Sequence, residues 1–313
     1  MDNKIVEIVE VSPRDGIQNE SHILKMDAKL LLVQHAIAAG ARRIEVTSFV
    51  NPKKVPQMAD AEELVAALPR GQARYIGLAL NRRGFDRVVA AKLDEVNFAL
   101  VLSETFSRRN QGMSTEDGIA LWHDVARAAE GQIGTGLTLA AAFGCPFEGE
   151  MPVERMMAAL EKALEVMPAE LTLADTIGVA APSDILERVG AVKARWPDLP
   201  IRLHLHNTRN TGFANAWAGL QAGDRLGHRA CRRGRPLARD RAWPRGAGHG
   251  NESRNLSASH PGIHMTRSSA LEAPDTRLAR PTAQKGPAAE QAYEAIRDRI
   301  FSGTLSEDDR VTE

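Results

Sequence analysis

The sequence predicts an α/β fold, a (β/α)₈ TIM barrel of which seven strands are recognisable. Up to Gly223, a short β-branched apolar run, a group of turn residues and an amphipathic helical stretch follow one another repeatedly. The repeat is about 30 to 40 residues long, and its apolar runs are mostly continuous, which is typical of parallel strands buried on both faces. Seven such units exceed what most doubly wound sheets use, so a barrel fits the pattern best.

The predicted strands and helices alternate along this part of the chain. The strands are Ile5–Val11, Arg43–Phe49, Tyr75–Leu80, Val96–Leu102, Leu137–Phe143, Leu171–Ile177 and Ile201–His206. The helices include Asp27–Ala39, Ala61–Ala67, Thr115–Ala129, Val153–Val166, Ser183–Ala194 and Gly212–Gln221.

The pattern stops after Gly223 and divides the chain into three parts. Residues 1–223 form the predicted barrel and carry 24 basic against 28 acidic residues. Residues 224–287 are rich in Arg, Gly, Pro and Ser and show neither helical nor strand periodicity, which predicts a disordered tail without an eighth strand. Residues 288–313 begin with a short helical pattern, with Ala292, Ile296 and Ile300 on one stripe.

Composition excludes several classes of function. Lys plus Arg equals Asp plus Glu at 40 each, so the net charge favours neither nucleic acid nor an anionic membrane as a partner. Two cysteines predict no disulfide framework, and acidic residues in the first ten positions argue against a signal peptide. We therefore expect a cytoplasmic protein, and the absence of GxGxxG, P-loop, GxSxG and HExxH motifs disfavours nucleotide-dependent and serine-hydrolase chemistry.

Two groups of polar residues end predicted strands, where barrels build their active sites. Arg14 and Asp15 follow the first strand and could supply an anion contact and a hard-metal ligand, although for these residues taken alone a surface turn closed by Gly16 is the better interpretation. His204 and His206 end the seventh strand, and alternation places them on one face, where both imidazoles can reach one ion. Two histidines in this register favour a ligand pair.

Three further positions carry weaker signals. Glu45 lies inside an apolar strand, where an ionised carboxylate needs a partner, and Arg14 is the obvious one; a purely structural pair is about as well supported. Asp175 and Thr176 end the sixth strand, where ligand contact and turn formation are comparable interpretations. Cys145 follows the fifth strand, and with nothing nearby in the sequence that would activate its thiol a structural role is favoured.

Six ordered motifs carry a resemblance to a known family. Between about Lys4 and Gly223 the sequence closely resembles the 3-hydroxy-3-methylglutaryl-CoA lyase family of TIM-barrel metal-dependent lyases. The motifs are SPRDGIQNE, EVTSFVNPKKVPQMAD, SETFSRRN, GCPFEG, ADTIG and HLHNTRNTGFANAWAGLQAG. Isopropylmalate and homocitrate synthases share the Arg-Asp-Gly turn and the His-x-His strand, but the continuation of the first two motifs is similar to the lyase branch.

The resemblance implies roles for individual residues. Asp15, His204 and His206 would bind Mg²⁺ or Mn²⁺, and Arg14 with Glu45 would serve the catalytic step. Gln18 and Thr176 match positions that line the substrate pocket. The implied reaction is retro-aldol cleavage of an acyl-CoA to acetyl-CoA and acetoacetate, a step of leucine degradation, or to another keto acid from a related substrate such as citramalyl-CoA. A homodimer is also implied.

The sequence departs from the family after Gly223. The family continues into an eighth strand and a glycine-rich loop with a catalytic cysteine, which would fall near Leu237, and neither Cys231 nor Asn251 lies in a matching context. The change to Arg, Gly, Pro and Ala predicts a frameshift near codon 223, and residues 291–313 resemble the start of a GntR-type regulator without its recognition helix. A genuine divergent tail is the alternative, and an inactive or impaired lyase remnant is the alternative function.

Overall fold

The barrel wall consists of parallel strands in which most neighbours in space are also neighbours in sequence. The structure, a computed structural model, describes residues 7–225 and 263–267. The order around the wall is β1-β2-β3-β4-β5-β6-β7-β8, with β8 beside β1. The strands are β1 Ile8–Glu10, β2 Arg43–Ser48, β3 Arg74–Ala79, β4 Glu95–Val101, β5 Gly134–Ala140, β6 Glu170–Asp175, β7 Ile201–Leu205 and β8 Ile263–Arg267.

Helices follow the strands and cover the outside of the wall. They are α1 Met26–Ala38, α2 Ala61–Ala67, α3 Arg82–Ala90, α4 Glu104–Gln111, α5 Thr115–Ala129, α6 Val153–Ala163, α7 Pro182–Arg195 and α8 Gly212–Arg225. A π-helical turn, Ser12–Gly16, follows β1, and a short antiparallel ribbon of Gly144–Cys145 with Gly149–Glu150 lies between β5 and α6. In the described part of the chain no helix is long and apolar enough to cross a membrane.

The α/β barrel predicted from the sequence is confirmed through β7. The seven apolar runs form seven parallel strands in the predicted order, and the six predicted helices are present. Helices α3 and α4 were not among the predicted elements. Both are short, at nine and eight residues, and each begins at a side-chain cap, Asn81 for α3 and Ser103 for α4. Their few buried apolar residues, such as Phe85 and Phe106, span too few turns for the helical period to be recognised.

The eighth strand differs from what the sequence predicts. Residues 224–287 were expected to contain no strand, yet Ile263–Arg267 pairs in parallel with β1 on one side and with β7 on the other. Without it, both neighbours would present unpaired backbone N–H and C=O groups at an open edge. Five extended residues satisfy both edges through main-chain hydrogen bonds, and a segment this short carries too little periodicity to be recognised. The other predictions for the chain after Arg225 lie outside the described residues.

The barrel interior is polar near its amino end, while apolar side chains fill the layer between wall and helices. Arg43 donates to both oxygens of Glu95, with a shortest distance of 2.5 Å, and to both oxygens of Glu170, at 3.0 and 3.1 Å. Arg202 pairs with the same Glu170. Four of the strands are therefore joined by buried ion pairs below the mouth, and each charge has an opposite partner that offsets the cost of burial.

Candidate metal centre

The turn after β1 places Arg14 and Asp15 at the mouth of the barrel. The backbone N–H groups of Arg14, Asp15 and Gly16 all donate to the carbonyl oxygen of Val11, at 3.0, 2.7 and 3.4 Å. Pro13 fixes the start of this turn. Three hydrogen bonds on one oxygen wind the backbone tightly, so that two adjacent charged side chains reach the same space above the strand ends.

The structure brings Asp15, His204 and His206 together as the sequence predicts. Their ligand atoms all lie within 4.8 Å of one another. Asp15 Oδ2 is 3.3 Å from His204 Nε2 and 3.6 Å from His206 Nε2, and the two Nε2 atoms are 2.9 Å apart. Residues 204 and 206 share the inner face of β7 and its continuation, so one carboxylate from the opposite side of β8 completes the group.

The protonation states of this group suit a cation. Burial opposes ionisation of Asp15, but the Arg14 guanidinium and His204 outweigh it and hold the pKa of the carboxyl well below its usual range. Burial lowers the pKa of His206 to about 4 in spite of Asp15 nearby. At neutral pH the cluster therefore offers a carboxylate and a neutral imidazole, which are the forms that bind metals. One carboxylate with two imidazoles is a donor set that fits a divalent first-row ion or Mg²⁺ with positions left open.

A chain of hydrogen bonds fixes Arg14 from below. Its Nε donates to Glu45 Oε1 at 2.5 Å, and its Nη1 donates to Asp15 Oδ1 at 2.6 Å. Glu45 Oε2 accepts from Asn97 Nδ2 at 2.8 Å, and Asn97 Oδ1 accepts from the hydroxyl of Thr138 at 2.8 Å. Both Glu45 oxygens are thus paired although the side chain is only 1% exposed. The pairing of Arg14 with Glu45 inferred from the sequence is present in the structure.

Asn97 is a site-supporting residue that the sequence reasoning missed. It lies in the middle of β4, in the run EVNFALV, and is buried. The argument applied to Glu45 applies here too, because a polar side chain inside an apolar strand needs a buried partner. That argument would have marked Asn97 as a residue that needs a buried polar partner, without identifying Glu45 as that partner.

The two residues expected to line the substrate pocket have protein partners. Gln18 Oε1 accepts from the Ser48 hydroxyl at 3.4 Å, and Thr176 Oγ1 accepts from the backbone N–H of Ala141 at 2.8 Å. Both residues are half-buried. Each side chain therefore joins a mouth loop to a neighbouring strand end.

Asp175 supports the turn interpretation rather than a ligand role. Its carboxylate is fully buried and accepts from the backbone N–H groups of Val179 at 2.8 Å and Ala180 at 3.1 Å. Burial raises the pKa of Asp175 to about 6, against these hydrogen bonds and the positive charges nearby. The tight turn that follows includes Gly178 at φ 67°, where an added Cβ would overlap Thr208.

Cys145 lies in a closed environment. The side chain is buried, its sulfur is 2.8 Å from the Ser103 hydroxyl, and it accepts from the Phe147 N–H at 3.3 Å. Phe106 and Ala141 pack around it. These contacts agree with a structural role within the ribbon after β5.

Comparison with known proteins identifies the family of the chain. Residues 5–226 match the HMGL-like protein family. The chain belongs to the HMGL-like family. The relatives that the chain resembles in this family are lyases. An (R)-citramalyl-CoA lyase of Chloroflexus aurantiacus is 38% identical over 232 residues, covering 70% of this chain and 73% of that protein. A hydroxymethylglutaryl-CoA lyase of Bacillus subtilis is 35% identical, with coverages of 70% and 74%.

Solved structures of family members share the architecture. The hydroxymethylglutaryl-CoA lyase of Bacillus subtilis superimposes with a TM-score of 0.68 at 35% identity, covering 70% of this chain and 74% of that one. One from Acinetobacter baumannii, solved in complex with coenzyme A and 3-methylmalate, gives 0.67 at 34% identity, with coverages of 70% and 72%. The family and the TIM-barrel architecture predicted from the sequence are confirmed.

Proposed function

We propose that this chain is a divalent-metal-dependent lyase that cleaves 3-hydroxy-3-methylglutaryl-CoA to acetyl-CoA and acetoacetate. The observation that carries the proposal is the convergence of Asp15, His204 and His206 within 4.8 Å, directly beside Arg14. A cluster of metal donors next to a fixed guanidinium is what cleavage of a tertiary alcohol into an enolate and a ketone requires. The membership of the HMGL-like family supports the same reaction class.

Asp15, His204 and His206 would hold the cation, Mg²⁺ or Mn²⁺. Bound there, the ion supplies Lewis acidity that makes the substrate hydroxyl easier to deprotonate. As the hydroxyl loses its proton, the carbinol C–O becomes the ketone carbonyl of acetoacetate and the bond from the carbinol carbon to the α-carbon of the thioester breaks. The electron pair of that bond forms the enolate of acetyl-CoA, and a proton is then added to its α-carbon, so that the reaction consumes no proton overall.

Arg14 stabilises the negative charge that develops during this step. The guanidinium has five N–H donors, and its hydrogen bonds to Glu45 and Asp15 use Nε and Nη1. Its other donors are directed from a rigid position because Glu45 is itself held by Asn97. Such preorganised donors lower the barrier because they need no reorganisation when charge appears.

A related substrate is the second candidate. The Chloroflexus (R)-citramalyl-CoA lyase is 38% identical to this chain, against 35% for the Bacillus hydroxymethylglutaryl-CoA lyase. Citramalyl-CoA undergoes the same bond cleavage and gives acetyl-CoA and pyruvate, so the metal cluster and Arg14 serve both substrates equally. The choice between them lies in the mouth loops.

The test is turnover of both thioesters by the full chain in the presence of Mg²⁺ or Mn²⁺. We expect release of acetyl-CoA, loss of that release with a chelator, and at least about a 100-fold lower kcat for Arg14→Gln. Arg82→Gln, which removes an exposed guanidinium on α3, is the matched control and should leave kcat unchanged. Metal-independent turnover, or full activity of Arg14→Gln, would contradict the proposal.

The glycine-rich loop with a catalytic cysteine, which the family resemblance implies, bears on how active this chain is. Because no matching loop follows Gly223 in the sequence, we expect turnover well below that of a full-length relative, as in an impaired remnant. The genomic sequence around codon 223 tests the frameshift: a one-base change should restore a glycine-rich, cysteine-containing continuation.

We also expect a cytoplasmic homodimer, and light scattering of the purified chain checks the assembly.

A further inference from the structure

No helix follows β8 within the described residues 7–225 and 263–267, so one place in the outer helix layer has no helix of its own, although α8 also contacts β8. β8 lies between β7 and β1 in the wall. α8 follows β7 along the chain, and α1 follows β1. Because each helix of such a barrel packs outside the wall near the strand it follows, the vacant place is the groove between α8 and α1, here named the α1/α8 groove.

The two helices that border the α1/α8 groove are unusually apolar on their exposed surfaces. On α8, Trp217 is 63% exposed. On α1, Leu31 is 50% exposed, and only Lys29 and Val33 of its thirteen residues are buried. An amphipathic surface helix directs its apolar side chains to the core, so apolar side chains left outside predict a further packing partner.

We propose that residues 288–301 of this chain form the eighth helix of the layer and pack into the α1/α8 groove. This segment, AAEQAYEAIRDRIF, follows the helical pattern that the sequence predicts. Its apolar residues recur at positions i, i+3, i+4, i+7 and i+11 from Ala289, which gives one continuous stripe. The stripe consists of Ala289, Ala292, Tyr293, Ile296 and Ile300.

The length and position of the segment fit the groove. Fourteen helical residues span about 21 Å, and α8 and α1 have fourteen and thirteen residues. β8 runs parallel to both neighbours and ends at Arg267 on the side of the barrel mouth, where a returning helix must begin. The twenty residues 268–287 can span up to about 66 Å, which is ample for this connection.

Other occupants fit less well. Residues 224–255 contain no Val, Ile, Phe or Tyr and many arginines, so they cannot cover an apolar groove. A second copy of the chain would have to bury about 1,200 to 2,000 Å² in total, whereas the exposed apolar side chains lie on two single helices beside a vacant helix position.

Hydrogen exchange of the full chain, read by mass spectrometry of its peptides, tests the proposal. We expect amides of 288–301 to be protected and to exchange at least ten times faster in Trp217→Asp. Met167→Asp is the matched control, because Met167 is also an apolar side chain exposed by 50% but lies after α6, away from the groove. It should leave exchange of 288–301 unchanged.

A reciprocal variant keeps the test independent of any one substitution. Ile296→Asp should speed exchange of 288–301 and of the α8 peptide around Trp217, while Arg297→Ala, on the polar side of the stripe, should not. Equal exchange of 288–301 in the original chain and in Trp217→Asp would overturn the proposal. Protection of amides in 226–262 instead of 288–301 would also overturn the proposal. Protection of 288–301 that disappears on dilution, as a dimer dissociates, would do the same. These measurements require no turnover, so they are independent of the proposed lyase activity.

Discussion

At the scale of single residues, Glu45 links the charged groups of the mouth to the barrel interior. It bonds Arg14 through one oxygen and Asn97 through the other, and it is nearly inaccessible to water. A buried carboxylate of this kind is stable only while both partners remain. The orientation of Arg14 therefore depends on Asn97, which acts on it through Glu45.

Asn97→Ala should lower the free energy of unfolding by about 1 to 3 kcal/mol, because Glu45 loses a buried hydrogen-bond donor. Urea denaturation measures this change. The matched control is Asn110→Ala on the exposed end of α4, where a change below about 0.5 kcal/mol is expected. Equal effects at both positions would show that the bond to Glu45 contributes nothing.

His206→Ala should weaken Mn²⁺ binding at least about 100-fold, since one of three donors is lost. Electron paramagnetic resonance of free Mn²⁺ reports the dissociation constant directly. His35→Ala removes an exposed imidazole at the end of α1 and should leave the constant unchanged. Retained affinity in His206→Ala would remove this residue from the proposed ligand set.

The residue-scale predictions from sequence succeeded where spacing alone carries the information. His204 and His206 are two positions apart on a strand, and alternation is enough to place them on one face. Asp15 and Arg14 needed the additional knowledge that strand ends meet at the barrel mouth. Asn97 and the bonds of Gln18 and Thr176 depend on register between strands, which a single sequence does not contain.

At the scale of elements, the ribbon after β5 is fastened to the start of α4 by Glu148. Its carboxylate accepts from the backbone N–H of Thr105 at 2.6 Å and from Arg155 at 2.7 Å. Arg109 of α4 stacks on Phe147 of the same ribbon, 4.4 Å from the ring centre. Two loops of the mouth are thereby joined beside Cys145. None of this was recognisable from the sequence, because both partners are polar and far apart along the chain.

Acid should loosen this connection. Burial opposes ionisation, but the Thr105 N–H and Arg155 lower the pKa of Glu148 to about 2. A folded-state pKa below the unfolded value means that the unfolded chain binds more protons as pH falls. The stabilisation is fully present above about pH 4.5 and is lost between about pH 4.5 and 2.

Glu148→Gln should therefore reduce the dependence of stability on pH in that window. Thermal unfolding of the original chain and the variant, compared at pH 7 and pH 3, measures this. Glu161→Gln removes an exposed pair with Arg195 and serves as the control. A Tm difference between Glu148→Gln and the original chain that is the same at both pH values would contradict the assignment.

At the scale of the whole molecule, the closure of the barrel depends on β8. This strand pairs with β1 through Met265 opposite Ile8 and with β7 through Met265 opposite Leu203. The repeated pattern of the first 223 residues was sufficient to predict the architecture of seven strands. The eighth could not be predicted, because its neighbours impose the extended conformation and its own sequence has no repeat around it.

Met265→Pro should open the wall, because proline removes a backbone donor in the centre of β8. We expect a loss of about 3 kcal/mol or more in the free energy of unfolding, together with increased binding of a hydrophobic dye at the exposed strand edges. Ser269→Pro, two residues beyond the strand, is the control. Unchanged urea midpoints for Met265→Pro would show that β8 does not close the barrel in solution.

The placement of β8 also bears on how such a gene can change. A wall is sealed by main-chain groups, which almost any residue supplies, whereas chemistry depends on particular side chains at the strand ends. A shifted reading frame near codon 223, as proposed above, would remove the loops that complete the catalyst and still supply a strand that closes the barrel. The fold of a barrel and its chemistry can therefore be lost separately.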